Sequence, residues 1–232
     1  MNKICKLSAV ALLASSTNLM AQTFSGPYAG VSVSAAGIGI DASKTNTSNT
    51  SSTGNGDGPV GAVFGLAAID IGYGIPAGKG TTIAVGATYT PMEADFSGKS
   101  TDASSGQTHK FTIKNPYTVY IAPTFEINKD SAFFVKAFYS HADVNVTNTS
   151  TAPGDLKGYG GSTGLKVMLT PNAFIQMEAA VTRFDDISAT DASVTGAQSG
   201  AAVTSALGTS TRKYVANDPT LVEGRITVGY KF

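Results

Sequence analysis

The chain has 232 residues, 42% hydrophobic and 14% charged, with 26 Gly, no Trp and one Cys. Soluble domains carry nearer a quarter charged residues, so charge is scarce here while the overall hydropathy is only mildly apolar. Sixteen basic against 16 acidic residues leave no basic excess for nucleic acid, and a single Cys excludes an internal disulfide and any cysteine-rich zinc site.

Residues 1–21 open with Lys3 and Lys6, run through the apolar stretch Leu7 to Ala14, and end in small or polar residues before Ala21. This is the pattern of a secretory signal peptide, with cleavage expected after Ala21 and residues 22–232 forming one exported domain. Cleavage there removes Cys5 and two lysines, leaving a thiol-free chain with a slight acidic excess. The apolar run is too short for a membrane-spanning helix. The longest later stretch without charge, Ala192 to Thr211, is mostly Ser, Thr, Gly and Gln, so lipid would not accept it as a helix.

From there the chain alternates with period two. Candidate strands fall at roughly 27–40, 60–75, 81–96, 110–127, 132–146, 157–169, 173–186 and 220–232. Alternation is clear in the third, where Ile83, Val85, Ala87 and Tyr89 oppose Thr82, Ala84, Gly86 and Thr88. In the seventh, Ile175, Met177, Ala179 and Val181 oppose Gln176, Glu178, Ala180 and Thr182. It is clearest in the last, where Val222, Gly224, Ile226, Val228, Tyr230 and Phe232 oppose Glu223, Arg225, Thr227, Gly229 and Lys231. Successive side chains of a strand point to opposite faces, so each ribbon has one greasy and one wet side. The second strand leaves its inward face open, because Phe64 and Leu66 oppose Val63 and Ile69.

The connections alternate in size. Pro76–Gly80, Asn128–Ser131 and Thr170–Asn172 are tight turns of Pro, Gly, Asn and Asp, whereas 41–58, 97–109, 147–156 and 187–219 are long. Long loops therefore gather at one end and short turns at the other. The fold expected is all-β: a transmembrane up-and-down antiparallel β-barrel of eight strands, with short periplasmic turns and long extracellular loops. Closure follows from hydrogen bonding, since an open edge in lipid leaves peptide groups unpaired. Tyr28, Tyr73, Phe125, Phe133, Phe174, Tyr230 and Phe232 are expected near the periplasmic rim. Tyr89, Phe111, Tyr139, Tyr159 and Phe184 are expected toward the outer half.

The start GPYAGVSVSAAG, the hairpins YTVYIAPTFEINKDSAFFVKAFYS and KGYGGSTGLKVMLTPNAFIQMEAAVTRF, and the terminal VGYKF resemble the eight-stranded outer-membrane barrels of Gram-negative bacteria, in the style of the opacity-protein and OmpA-type families. The resemblance covers the whole exported domain through degenerate patterns. It implies an outer-membrane location among lipid and lipopolysaccharide, and recognition of Tyr230 and Phe232 by the outer-membrane assembly machinery. It also implies a surface protein, structural or adhesin-like, that binds through extracellular loops. The alternative is a narrow porin-like channel for small solutes, against which a side-chain-filled eight-strand lumen argues.

Lys136, Glu178, Glu223 and Arg225 fall on the inward faces and are expected to form a lumen charge network, with Lys166 and Glu126 near strand ends. The plainer role is a salt-bridged plug; the sharper one is a gate. Ser140, His141 and Asp143 invite comparison with barrel-wall hydrolases, but adjacent strand residues point to opposite faces, so Ser140 and His141 cannot hydrogen-bond to each other. No catalytic residue, cofactor or metal site is expected, and His109 is a lone loop histidine. The run GYGGSTGLK lacks the spacing of a phosphate loop; glycines on an inward face explain it better. Fourteen of the eighteen residues in 41–58 are Ser, Thr, Asn or Gly, a segment with little to bury. If adhesion is its role, the partner is a host surface or matrix. Nucleic acid is not expected as a partner, and the barrel is expected to be a monomer.

Overall fold

The computed structural model describes residues 23–47, 58–91, 93–98, 109–146, 155–192 and 211–232. They form ten β-segments: β1 (Gly26–Thr47), β2 (Gly58–Gly78), β3 (Thr81–Tyr89), β4 (Ala94–Gly98), β5 (His109–Asn128), β6 (Ser131–Val146), β7 (Leu156–Met168), β8 (Ala173–Phe184), β9 (Ile187–Ala192) and β10 (Thr211–Lys231). All pairings are antiparallel. The order is β1-β2-β3-β5-β6-β7-β8-β10, and β10 pairs back onto β1. β4 continues the line of β3 along β5, and β9 continues β8 along β10, so the ten segments make eight staves of a closed barrel. The eight strands anticipated from the alternation are present.

Turn chemistry fixes the short end. Gly78 and Gly80 have φ of 145° and 69°, conformations that exclude ordinary side chains, and they close the β2–β3 hairpin. Asn128 Oδ1 accepts from the Asp130 amide at 2.9 Å, and Thr170 Oγ1 accepts from the Ala173 amide at 2.9 Å. Asn172 Nδ2 donates to the Lys231 carbonyl at 2.8 Å, tying the last turn to the C-terminal strand.

The strands run longer than the alternation indicates. β1 has 22 residues and β2 and β10 have 21 each, about twice the ~9–11 needed to cross lipid. Segments read as loop at 41–47, 187–192 and 211–219 are therefore strand. The reason is physical: beyond the membrane both faces of a ribbon meet polar surroundings or a small core, so the greasy/wet contrast fades while backbone pairing continues. Residues 48–57, 99–108, 147–154 and 193–210 lie outside the described residues, as does the segment 1–21 expected to be a signal peptide.

Irregularities cluster where the extension begins. Segments β3 and β4 break at 90–93, β8 and β9 break at 185–186, and the register shifts at Lys114/Tyr117 and Gly39/Asp41. Asn115 and Asp218 take positive φ of 50° and 45°, a region these two residue types tolerate through short polar side chains.

Outward faces carry Val31, Val33, Ile69, Ile71, Val85, Val119, Ile121, Val135, Met177, Val181, Ile226 and Val228, all exposed. Tyr89, Tyr117 and Tyr159 rim this band toward the loop end, with Tyr139 packed 5.2 Å from Tyr159; Tyr73, Phe125, Phe133, Tyr230 and Phe232 rim it toward the turn end. Three aromatics expected in the girdles are not there: Tyr28 and Phe174, expected on the turn-end rim, and Phe184, expected toward the outer half, are buried in the lumen. Each sits over a glycine of a neighbouring strand: Tyr28 over Gly72, Phe174 over Gly229 and Phe184 over Gly158. Tyr120, Phe134 and Phe138 repeat the device over Gly86, Gly164 and Gly160. A β-carbon at any of these glycines would collide with the ring, so three of the four glycines of GYGGSTGLK, Gly158, Gly160 and Gly164, are seats for lumen aromatics. This cross-strand pairing is what lets a narrow barrel hold rings inside.

Candidate functional site: the lumen plug

Alternation turns Lys136 of β6, Ser162 of β7, Gln176 and Glu178 of β8, and Glu223 and Arg225 of β10 inward. The structure brings Lys136 and Glu178 together: Nζ donates to Oε2 at 2.8 Å, with both side chains almost wholly shielded. Gln176 Nε2 donates to the same oxygen at 3.0 Å, and Ser162 Oγ donates to Oε1 at 2.6 Å. A carboxylate with three donors, one of them a cation, is well compensated for the water it has lost. Arg225 is the direct cross-strand neighbour of Glu178 but gives its guanidinium to Glu223. Its Nη2 reaches both carboxylate oxygens at 2.9 and 3.0 Å, and Nε adds a bond at 3.1 Å.

A second chain of bonds crosses the barrel from β2. Asp70 Oδ1 accepts from the Tyr120 hydroxyl at 2.7 Å, and Oδ2 accepts from Thr88 at 2.9 Å. With the Tyr120 proton committed to Asp70, Tyr28, 2.8 Å away, is the donor to Tyr120. The Lys136 ammonium lies 4.4 Å from the Tyr120 ring centre, joining the two networks through a cation–π contact. Asp70, Tyr28 and Tyr120 were not anticipated as members. Asp70 was legible only once the inward face of β2 was known, and inward aromatics cannot be told from girdle aromatics by sequence.

Lys166 is buried too. Among the described residues no carboxylate lies in ion-pair range of it, and its ammonium rests 4.4 and 4.6 Å from the rings of Tyr28 and Phe174. Glu126 leaves Oε1 buried without a hydrogen-bond partner. At the turn end, Phe24 completes an apolar cluster with Tyr28, Ala132, Met168 and Phe174. The Lys231 ammonium holds the backbone there by donating to the Thr23 carbonyl at 2.8 Å. On the loop side of the plug lies a cavity of about 100 Å³ with Tyr120, Lys136 and Glu178 at its polar side and Phe64, Leu66 and Phe184 among its apolar walls.

Ser140 and His141 face opposite sides of β6: Ser140 Oγ bonds Thr118 Oγ1 inside at 3.0 Å, whereas His141 stacks on outward Tyr117. Tyr230 and Phe232 stand outward and exposed, their rings in edge contact at 5.2 Å. His109 opens β5 opposite Gly98, and its side chain lies outside the described residues.

A closed antiparallel barrel with an apolar belt, aromatic rims and a polar interior is the architecture of an outer-membrane protein, and the model of the family described as "Outer membrane protein beta-barrel domain" matches residues 7–204. The chain belongs to that family. Among solved structures, this outer-membrane barrel is similar to the outer membrane protein OprG from Pseudomonas aeruginosa, at 14% identity and TM-score 0.56, covering 90% of this chain and 97% of that one. It is also similar to the attachment invasion locus protein Ail of Yersinia pestis, at 12% identity and TM-score 0.45, covering 89% and 99%. Neisserial surface protein A matches at 14% identity and TM-score 0.41, covering 87% and 97%. At these identities the likeness concerns the fold alone. No curated protein matches this chain in sequence.

Proposed function

We propose that this barrel is a non-conducting, non-catalytic surface protein of a Gram-negative outer membrane, structural or adhesin-like, whose long strands carry binding loops clear of the lipid. The observation that carries this reading is the closed lumen. Lys136–Glu178, Glu223–Arg225 and the Tyr28–Tyr120–Asp70 chain fill its middle, and the cluster around Phe24 stops the turn end. Opening a path would separate buried charges, each costly to leave unpaired. Strands of 20 to 22 residues support the second half of the reading, since a rigid extension raises binding segments above the headgroups. Lipid and lipopolysaccharide surround the belt, and Tyr230 and Phe232 serve the assembly machinery, while a host surface or matrix meets the loops of the monomer.

Planar-bilayer recording of the purified barrel tests the first half: silence is expected, and stable conductance steps would establish the narrow-channel alternative instead. For the second half, deleting 48–57 and 193–210 together should abolish adhesion of expressing cells to host matrix while leaving heat-modifiable gel mobility unchanged. Adhesion that survives both deletions refutes a role for these loops.

A further inference from the structure

Three residues outside the lumen meet on the water-facing wall beyond the tyrosine rim. His141 and Asp143 lie two apart on β6 and so share its outward face. The β6–β7 register, which pairs His141 with Lys157 and Ala142 with Leu156, sets Asp155 beside Asp143. His141 Nε2 is 3.3 Å from Asp155 Oδ2, and one ligand atom from each of His141, Asp143 and Asp155 lies within 4.8 Å of the others.

We infer that His141, Asp143 and Asp155 bind one divalent transition-metal cation of the zinc class, with an open coordination position toward solvent. The electrostatics favour it. Two carboxylates are held close, yet among the described residues Asp143 has no cationic partner. Its cross-strand neighbour Lys114 gives its ammonium to Glu93 at 3.2 Å, and Lys157, opposite His141, makes no ion pair among the described residues. A divalent ion between the carboxylates turns that repulsion into attraction. Two ligands are also oriented in advance: Tyr117 stacks on the His141 imidazole at 5.0 Å between ring centres, and Asn115 Nδ2 donates to Asp143 Oδ2 at 3.2 Å. Tetrahedral zinc at ~2.0–2.1 Å from N and O places its ligand atoms about 3.4 Å apart. Rotation of the exposed aspartates closes the remaining gap. An imidazole in the set selects against Ca²⁺ and Mg²⁺, which take all-oxygen shells.

The test is calorimetric titration of Zn²⁺ into the full chain refolded in zwitterionic micelles free of lipopolysaccharide. One ion per chain with micromolar or tighter affinity is expected. His141→Ala and Asp143→Asn should each weaken binding at least tenfold, His109→Ala should leave it unchanged, and millimolar Mg²⁺ should not displace the ion. Heat-modifiable mobility certifies that each variant is folded, and His141→Gln replaces the alanine variant if that one fails. Absence of saturable binding, or undiminished affinity in folded His141 variants, overturns the site. Undiminished affinity in Asp143→Asn reduces it to a His141–Asp155 ion pair and also overturns it, and displacement by Mg²⁺ overturns the zinc class.

Discussion

The two ends of this barrel solve opposite problems with the same alternation. In the lipid-crossing section the outside is Val, Ile and Leu and the inside holds Asp70, Lys136, Glu178, Glu223 and Arg225. Beyond the tyrosine rim the polarity inverts. There Ala142, Leu156 and Phe184 pack inside with Ile113, Val144, Ile187 and Leu221, while Glu93, Lys114, Asp143, Lys157, Arg183 and Asp218 face out. Surroundings explain the reversal: lipid tails tolerate only apolar side chains, so polar groups retreat inward. In water the ordinary rule returns and the apolar groups form the core. The bulges at Asn115 and Asp218 mark the boundary between the two regimes.

The sharpest way to break this contrast is inside the plug. Replacing Glu178 by Leu strands the Lys136 ammonium and should cost ~3–5 kcal/mol in denaturant unfolding from lipid vesicles, whereas adding Lys136→Met should recover most of that loss. Full loss in the double variant would mean that the pair contributes more than mutual neutralisation. Leu156→Ala probes the apolar core of the extension and should lose ~2–5 kcal/mol, as in a soluble protein. A negligible change there would show that this section is not packed as a core. Smaller effects come from charge on the outer wall. Val135→Arg, facing lipid, should destabilise by ~2–4 kcal/mol, while Ser188→Arg, outward on β9, should cost only ~0–1 kcal/mol. Equal penalties at the two positions would move the membrane boundary.

Much of the lipid-crossing section is legible in the sequence because a ribbon between lipid and lumen must alternate. Residues 81–89 and 173–184 announce themselves that way, and parity alone points Lys136 and Glu178 inward. The extension is hidden for the converse reason: 41–47 and 211–219 pair as strand through the backbone while their sequence is mostly polar, so pattern and pairing part company. Tyr28, Phe174 and Phe184 escape because an aromatic suits a membrane rim and a lumen equally; the deciding glycine lies on another strand, 44 residues away for Tyr28 and Gly72. Asp155 is likewise invisible as a partner of His141 until the β6–β7 register is known, since an intervening segment separates them in the chain.

What the order of amino acids determined by itself was the number of strands, their up-and-down path and, for all but the second strand, which side meets lipid, because these follow from short-range periodicity and turn chemistry. What only tertiary structure decided was how far the strands climb, which rings turn inward, and which charges meet. Those outcomes depend on cross-strand neighbours, and hydrogen-bond register, which no local pattern records, chooses those neighbours.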